Sequence, residues 1–273
     1  MTWWAVDVRT VPEQRARVGA WLVTRTGHAV EERDDGSLVT FAEDEAAAQR
    51  LEAALAAEAP VETARRLLDS ADWSTRWRDG LGPRRIGRLT VTPSWIPAVG
   101  SAPVVVIDPE TAFGTGEHGS TRGALALVER HLRPGDRVLD LGSGSGIVAI
   151  AAAALGAGRA TGIELDGEAN EVAARNAERN GVADRVAFLE GDAADLAPLL
   201  GPCELVVSNI LRGVNIRLLP AIAAALRPGG LAVFAGMEEA EAELFRPLLA
   251  SAGFTPVDET VDAGWWAVAA RRG

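Results

Sequence analysis

The fold of this chain is decided by the stretch VLDLGSGSGI, which runs from Val138 to Ile147. An apolar strand leads directly into three glycines at alternate positions, and an alanine-rich helix follows. Glycine permits the sharp turn and leaves no Cβ between the backbone and a bound ligand. The free amide groups at the start of the helix then face that ligand. The pattern predicts a cofactor site at the edge of an α/β sheet.

Strand and helix patterns alternate regularly from Val104 onward. Near-continuous apolar strands separated by helices are typical of a parallel sheet that helices cover on both faces. Only residues 261–264 separate the last two strands, which favours a closing hairpin. The predicted fold class is therefore α/β, with a Rossmann-like, seven-stranded sheet. The strands are predicted at residues 137–141, 160–164, 186–190, 205–208, 231–235, 255–260 and 265–270.

Residues 1–67 predict a smaller α+β domain. Strands are expected at 3–9, 28–33, 37–42 and 61–67, helices at 11–25 and 43–58, and a turn at Asp34-Asp35-Gly36. This βαββαβ order is typical of a ferredoxin-like domain. Residues 68–103, which contain Trp73, Trp77, Trp95 and four prolines, are predicted to form a connector. Residues 104–273 then form the cofactor-binding domain.

The composition favours a soluble globular protein, because 48% of the 273 residues are apolar and 24% are charged. The formal net charge of −11 argues against direct binding of nucleic acid, since phosphate contacts need a basic face. An acidic enzyme would instead attract a basic protein substrate over a long range.

Signals for targeting and for metal binding are missing from the sequence. No apolar run reaches the roughly 18 residues of a membrane span, and no signal peptide is recognisable. Cys203 is the only cysteine and the three histidines are scattered, so we expect neither a disulfide nor a metal site. These observations predict a cytoplasmic protein without membrane association.

The ends of the first four predicted strands of the large sheet present a glycine, two acids and an asparagine in turn. Glu164 lies 22 residues after Gly142, where an acid at the end of the second strand can bind ribose hydroxyls. Asp192 and Asn209 follow the third and fourth strands. Open α/β sheets bind ligands at the carboxyl ends of their strands, so these groups are expected to share one site. Asp166 is expected to cap the helix after the second strand.

Two cofactors could use such an edge. A nicotinamide dinucleotide prefers the spacing G-x-G-x-x-G. This chain has G-x-G-x-G followed by Ile147 and Val148, so its third glycine comes one position early. Together with Asp192 and Asn209, this spacing favours S-adenosylmethionine.

The segment DPETAFGTGEHGST, residues 108–121, resembles the PrmA family when it is taken with the glycine loop and with Asn209-Ile-Leu211. Enzymes of that family methylate amino groups, on lysines and at the N-terminus, of the eleventh protein of the large ribosomal subunit. The resemblance continues upstream at Asp72-Trp73-x-x-x-Trp77 and is strongest over residues 104–235. It implies a class I S-adenosylmethionine-dependent methyltransferase with a ferredoxin-like domain in front.

The resemblance also implies roles for particular residues. The loop that begins at Phe113 would fold over the methionine part of the cofactor, and Asn209 is the candidate catalytic residue. The N-terminal domain would hold the ribosomal protein, and the connector would let it swing. The candidate cofactor-binding residues are Phe113, Gly114, Thr115, Thr121, Gly142, Gly144, Glu164, Asp192 and Asn209.

The chain departs from the family pattern in the segment before the core. The family often has Thr-His-Pro-Thr-Thr where this chain has Glu117-His118-Gly119-Ser120-Thr121. Glycine in place of proline is expected to loosen the loop. Glu117 is expected to add a negative charge beside the sulfonium of the cofactor.

Methyl transfer from a sulfonium is an in-line displacement, and holding the amine and the methyl carbon in line supplies much of the catalysis. A lysine ammonium must first lose its proton, which desolvation near a positive sulfonium favours. We therefore expect Asn209 and nearby carbonyl groups to orient the amine, without an assigned base. His118 is interpreted as a structural hydrogen-bonding residue rather than as a base.

Two other functions remain compatible with the sequence. The first is the same chemistry on another protein lysine, on a small molecule or on a nucleic-acid base, although Asn209-Ile-Leu-Arg212 lacks the Asn-Pro-Pro-aromatic pattern of base methyltransferases. The second is an inactive cofactor-binding scaffold. The intact glycine loop and the acids after the strands argue against the scaffold.

Overall fold

The computed structural model describes residues 4–26, 30–32, 36–42, 44–67, 82–97, 103–108, 110 and 112–273. The chain divides into two compact units, Met1–Gly80 and Leu81–Gly273. Several predicted features lie outside the described residues: Trp3 in the first strand, both ends of the strand at 28–33, Asp34 and Asp35 of the turn, and the residues of the connector as far as 81, with Asp72, Trp73 and Trp77.

The described part of the first unit consists of strands and helices in the order βαββαβ. They are β1 (Trp4–Arg9), α1 (Pro12–Thr26), β2 (Glu31–Glu32), β3 (Leu38–Ala42), α2 (Glu45–Glu58) and β4 (Glu62–Leu67). The strands form an antiparallel sheet in the order β2-β3-β1-β4. Apolar residues of both helices, such as Leu22 and Leu55, pack in one core with Val6 and Val8 of β1. The predicted ferredoxin-like arrangement is confirmed.

The second unit begins with a small three-stranded sheet. Its strands are β5 (Arg84–Ile86), β6 (Leu89–Thr92) and β7 (Val104–Val106), with β6 antiparallel to β5 and parallel to β7. The described half of the predicted connector is therefore folded as part of this unit. Leu89 and Val91 belong to the same apolar core as the helix at 119–131.

The rest of the second unit is an alternation of strands and helices around a large sheet. The elements are α3 (Gly119–His131), β8 (Arg137–Leu141), α4 (Ile147–Ala154), β9 (Arg159–Glu164), α5 (Gly167–Arg179), β10 (Val186–Glu190), α6 (Ala193–Leu200), β11 (Cys203–Asn209), α7 (Arg212–Ala225), β12 (Leu226–Glu238), α8 (Ala242–Ser251), β13 (Phe254–Asp262) and β14 (Trp265–Arg272). The described helices have at most 15 residues, and among them none is long and apolar enough to cross a bilayer.

The large sheet has seven strands in the order β10-β9-β8-β11-β12-β14-β13. The first five in this order run parallel, and β14 is antiparallel to both of its neighbours. The predicted Rossmann-like sheet and the closing hairpin are thus confirmed. Since the strand order reverses between β8 and β11, a crevice is expected beside the carboxyl end of β8.

Helices cover both faces of the large sheet. Successive strand residues point to opposite faces, so Val138 packs with α3 and α4, whereas Leu139 packs with α7 and α8. The apolar layers on both faces hold the sheet in place. The ends of its strands are therefore rigid, and a site built on them has a defined geometry.

Candidate active site

A cavity of about 530 Å³ opens at the carboxyl ends of the central parallel strands. Its volume is within the range of about 300–1,000 Å³ that is typical of small-molecule sites. Six of the predicted cofactor-binding residues belong to its wall: Phe113, Gly142, Gly144, Glu164, Asp192 and Asn209. The other three, Gly114, Thr115 and Thr121, are not part of the wall.

The loop after β8 requires glycine at two positions in the cavity wall. Gly142 and Gly144 both have positive φ, at 70° and 50°. A Cβ on Gly142 would lie 2.7 Å from Cγ2 of Ile210, and a Cβ on Gly144 would lie 2.5 Å from the carbonyl oxygen of Phe113. Any side chain there would therefore be strained and would collide with the wall. The backbone itself forms this side of the cavity, as the sequence predicted.

Ser145 anchors the loop that carries Phe113. Its backbone N–H donates to the carbonyl of Phe113 at 2.9 Å, and its buried hydroxyl donates to the carbonyl of Gly114 at 2.6 Å. The carbonyl of Ser145 accepts in turn from Nδ2 of the buried Asn176 at 3.0 Å. The Phe113 loop and the glycine loop are therefore one hydrogen-bonded structure, while the Phe113 side chain remains 62% exposed at the cavity.

Asp140 lies inside the protein beneath the glycine loop. One carboxylate oxygen accepts from the backbone N–H of Ala149 in the first turn of α4, at 3.1 Å. Burial raises the pKa of Asp140 from 3.8 to about 7, because a charged carboxylate loses its hydration there; the Ala149 N–H offsets part of this shift, and the charge of Glu164 adds to it. The group ties β8 to α4 and does not reach the cavity wall.

We expect an Asp140→Asn variant to lose the pH dependence of stability that this carboxyl group causes. Because the folded-state pKa lies above that of the unfolded chain, the contribution is complete below the ordinary value of 3.8 and is lost as the pH rises to about 7. The unfolding free energy of the variant relative to wild type should therefore rise by on the order of 2–3 kcal/mol between about pH 5 and about pH 8. Urea unfolding at both pH values measures this difference.

The control for that experiment is Asp136→Asn, which removes a carboxylate just before the same strand. Among the described residues, the Asp136 side chain accepts one hydrogen bond, from the backbone N–H of Arg133 at 2.9 Å. A constant difference between Asp140→Asn and wild type at the two pH values would show that Asp140 does not titrate in this range.

Glu164 ends β9 with its carboxylate at the cavity. It accepts from the backbone N–H groups of Gly144 at 3.0 Å, Leu165 at 2.8 Å and Asp166 at 3.3 Å. An ionised carboxylate has about four acceptor positions, so capacity remains for a ligand hydroxyl. Asp166 caps α5 through the N–H of Glu168 at 2.9 Å, which confirms the predicted cap.

Asp192 lies two residues after the end of β10 and is the N-cap of α6. It accepts from the N–H of Ala194 at 2.8 Å and pairs with Arg217 of α7 at 3.0 Å. These two contacts, the Ala194 N–H first, hold the pKa of Asp192 below its ordinary value, so the group is an anionic acceptor in the wall. Arg217 could not be predicted from the sequence, because no local pattern connects it to a residue 25 positions away.

Asn209, at the end of β11, has one free hydrogen-bonding atom. Its Nδ2 donates to Oγ1 of the buried Thr121 at 3.3 Å, and this contact orients the amide. Its Oδ1 is buried and has no partner among the described residues. A buried acceptor without a donor is unfavourable, and Asn209 is one of the residues that line the cavity. Thr121 thus acts on the site through Asn209.

Three aromatic rings border the cavity. The rings of His118 and Trp265 lie 4.3 Å apart, and those of His118 and Phe113 lie 5.6 Å apart. Nδ1 of His118 is engaged with Oγ of Ser120 at 2.7 Å, as expected for a structural role. Trp265 carries no local motif that would identify it as a site residue, since only the closing hairpin brings it here.

The two departures from the family pattern have structural surroundings that the sequence did not suggest. Gly119 does not loosen a loop: it is the buried first residue of α3, and a Cβ there would overlap the carbonyl oxygen of Asp262 and lie 2.9 Å from Cδ1 of Trp265. Glu117 is not part of the cavity wall and instead pairs with Arg84 at 2.6 Å. Neither contact could be expected from the sequence, because both partners come from distant parts of the chain.

Comparisons with known proteins agree on one family. A family model described as ribosomal protein L11 methyltransferase (PrmA) matches residues 9–273. The ribosomal protein L11 methyltransferase of Thermus thermophilus is 43% identical over 194 residues, which are 71% of this chain and 75% of that protein. The enzyme of the same name from Pelotomaculum thermopropionicum is 41% identical over 76% of this chain and 67% of its own length. A crystal structure of the ribosomal protein L11 methylase of Lactobacillus delbrueckii subsp. bulgaricus superposes with a TM-score of 0.64 at 28% identity, and covers 70% of this chain and 100% of that one.

Proposed function

Because the chain belongs to the ribosomal protein L11 methyltransferase (PrmA) family, we propose that it transfers methyl groups from S-adenosylmethionine to amino groups of ribosomal protein L11. The acceptors would be lysine side chains and the N-terminal amine. The observation that carries the proposal is that Asn209, whose buried Oδ1 lacks a partner among the described residues, lines the same cavity as the glycine loop, Glu164 and Asp192.

The residues of the cavity fit S-adenosylmethionine. Gly142 and Gly144 offer bare backbone where a Cβ would fill the space, Glu164 has acceptor capacity for a ribose hydroxyl, and Asp192 is an anionic acceptor for the amino group of adenine. Phe113 would cover the methionine part, with Gly114 and Thr115 holding its loop and Thr121 holding Asn209. When bound, the cofactor supplies an electrophilic methyl group on a positively charged sulfur.

In this proposal Asn209 is the catalytic residue, and its role is to orient the acceptor. Its Oδ1 accepts an N–H of the incoming amine, which turns the nitrogen lone pair toward the methyl group, and Thr121 holds the amide in that orientation. Desolvation in the mostly apolar cavity lowers the pKa of the acceptor ammonium, so its proton leaves to solvent before transfer. No side chain needs to act as a base, and His118 remains engaged with Ser120.

The first unit is proposed to recognise the protein substrate, and the chain is proposed to act in the cytoplasm, where ribosomal proteins are modified. The family match supports the first point because it begins at residue 9 and so includes this unit. The formal net charge of −11 of the whole chain favours the approach of a basic protein.

The proposal predicts which ribosomal component becomes labelled. Purified chain, S-adenosylmethionine with a radioactive methyl group and unmethylated ribosomal proteins should give label in L11, while bulk ribosomal RNA treated in the same way should stay unlabelled. Mass spectrometry of the labelled protein would locate the modified amines.

Two results would contradict this assignment. If RNA or a different protein took the label, the assignment of L11 as the substrate would be wrong, whereas the assignment as a methyltransferase would hold. If the chain failed to bind S-adenosylmethionine in calorimetry, the methyltransferase assignment itself would fall.

A further inference from the structure

Arg122, in the first turn of α3, bridges two separate segments of the second unit. Its Nε and Nη2 donate to the two carboxylate oxygens of Asp262 at 2.7 and 2.6 Å, and its Nη1 donates to the carbonyl oxygen of Glu117. Asp262 ends β13 at the tip of the closing hairpin, and Glu117 directly precedes His118. The fork also holds the pKa of Asp262 below its ordinary value, so the pair stays ionised.

The two bridged segments each carry one ring of the cavity wall. His118 follows Glu117 directly, and Trp265 follows Asp262 across the two-residue turn of the hairpin. The His118 and Trp265 rings lie 4.3 Å apart. Elsewhere α3 packs on the same hairpin through the core that Ala124 shares with Ala267 and through the pair of Arg130 with Asp258. The Arg122 guanidinium binds Glu117, one residue before His118, and Asp262, three residues before Trp265.

Gly119 lets the hairpin tip come close enough for this contact. A Cβ at this position would overlap the carbonyl oxygen of Asp262 and would lie 2.9 Å from Cδ1 of Trp265. The hairpin tip therefore packs directly on the first turn of α3. Arg122, three residues after Gly119, binds the tip in this position.

The sheet order places this pair of rings at the acceptor end of the cavity. The glycine loop follows β8, and Glu164 and Asp192 follow strands on one side of it, whereas Asn209 follows β11 on the other side. Trp265 begins β14, two strands farther in the same direction as Asn209. The rings thus lie beyond Asn209, away from the groups that fit the ribose and the adenine.

We infer that Arg122 is a positioning residue that sets the acceptor wall of the site by holding the hairpin tip, and with it Trp265, against His118. The inference rests on the proposed methyl transfer to an amine. Arg122 does not belong to the cavity wall itself. Its removal should therefore disturb the binding of the protein substrate and leave the binding of S-adenosylmethionine in place.

The test compares Arg122→Met with a matched variant on the same two elements. Arg130 of α3 pairs with Asp258 of β13 at 2.9 Å, and neither residue is part of the wall, so Arg130→Met removes an ion pair between the same helix and strand. We expect Arg122→Met to raise the KM for the ribosomal protein by about tenfold. The Kd for S-adenosylmethionine from calorimetry should stay within about twofold of wild type, and Arg130→Met should change neither quantity.

A double-mutant cycle between Arg122→Met and Asp262→Asn distinguishes the loss of this ion pair from a general disturbance of the fold. If Arg122 acts through Asp262, the effects on KM of the two single substitutions should not add in the double variant. Gly119→Ala should raise the same KM, because the added Cβ displaces the hairpin tip from the first turn of α3. The inference is overturned if Arg122→Met leaves this KM unchanged, if Arg130→Met raises it equally, or if the Kd for the cofactor rises in parallel. A wild-type chain that labels no ribosomal protein overturns the proposed function and this inference together.

Discussion

Replacing Gly142 with arginine is expected to weaken the binding of S-adenosylmethionine by roughly 100-fold or more, which corresponds to about 2.7 kcal/mol. The residue has a φ of 70°, which L side chains rarely adopt, and its Cβ would lie 2.7 Å from Cγ2 of Ile210. The rest of the arginine side chain would occupy the cavity. Isothermal titration calorimetry with S-adenosylmethionine measures the effect directly, without any assumption about the methyl acceptor.

Gly181→Arg is the matched control for this experiment. Gly181 also has a positive φ, of 63°, but a Cβ there meets nothing within 4 Å, because the residue lies exposed at the end of α5. The control shares the backbone strain and the added charge and leaves the cavity open. Equal affinities of the two variants for the cofactor would show that the glycine loop does not line the binding site.

Replacing Asn209 with alanine is expected to lower the rate of methyl transfer by roughly 100-fold, because even a small misplacement of the reacting atoms has an effect of this size. The buried Oδ1 is an acceptor without a partner among the described residues, and its removal leaves the incoming amine without an orienting group. Single-turnover transfer to the ribosomal protein, with cofactor and acceptor both saturating, isolates this step from binding. The affinity for S-adenosylmethionine should fall far less than the rate.

Asn170→Ala is the control for Asn209→Ala. Asn170 is a half-buried asparagine whose Nδ2 also makes one described hydrogen bond, to the carbonyl of Glu164 at 3.3 Å, and whose Oδ1 also lacks a described partner. It is not part of the cavity wall. If Asn209→Ala kept both the wild-type rate and the wild-type affinity for the cofactor, the proposed role of Asn209 would be refuted.

The predictions that rested on local patterns were the successful ones. The glycine turn after β8, the position of Glu164 at the end of β9 and the cap at Asp166 each depend on residues that are neighbours along the chain, and the structure places them as expected. The strand ends were predicted to converge, because parallel strands present their carboxyl ends at one edge. Six of the nine predicted cofactor residues accordingly line one cavity.

The contacts that could not be predicted from the sequence all join distant parts of the chain. Arg217 reaches Asp192 from another helix, and Trp265 reaches His118 from the closing hairpin. Ser145 lies within the glycine motif, yet its bonds to Phe113 and Gly114 depend on how the preceding loop lies over it. Periodicity and spacing carry no information about such pairs, because these patterns describe one element at a time.

The packing of Gly119 is the clearest example of a feature that could not be predicted from the sequence. Its identity alone suggests a loosened backbone, but the tertiary structure makes it a tightly packed position beneath Asp262 and Trp265.

The sequence by itself determined the class of fold, the order of its elements and the edge at which a cofactor would bind, because backbone sterics and hydrophobic periodicity act over a few residues. Only the tertiary structure decided the shape of the acceptor wall. That wall depends on two segments more than 140 residues apart in the chain, His118 and Trp265, and on one guanidinium that joins them. Contacts of this kind depend on the order of the strands in the sheet, which brings the hairpin tip onto the first turn of α3.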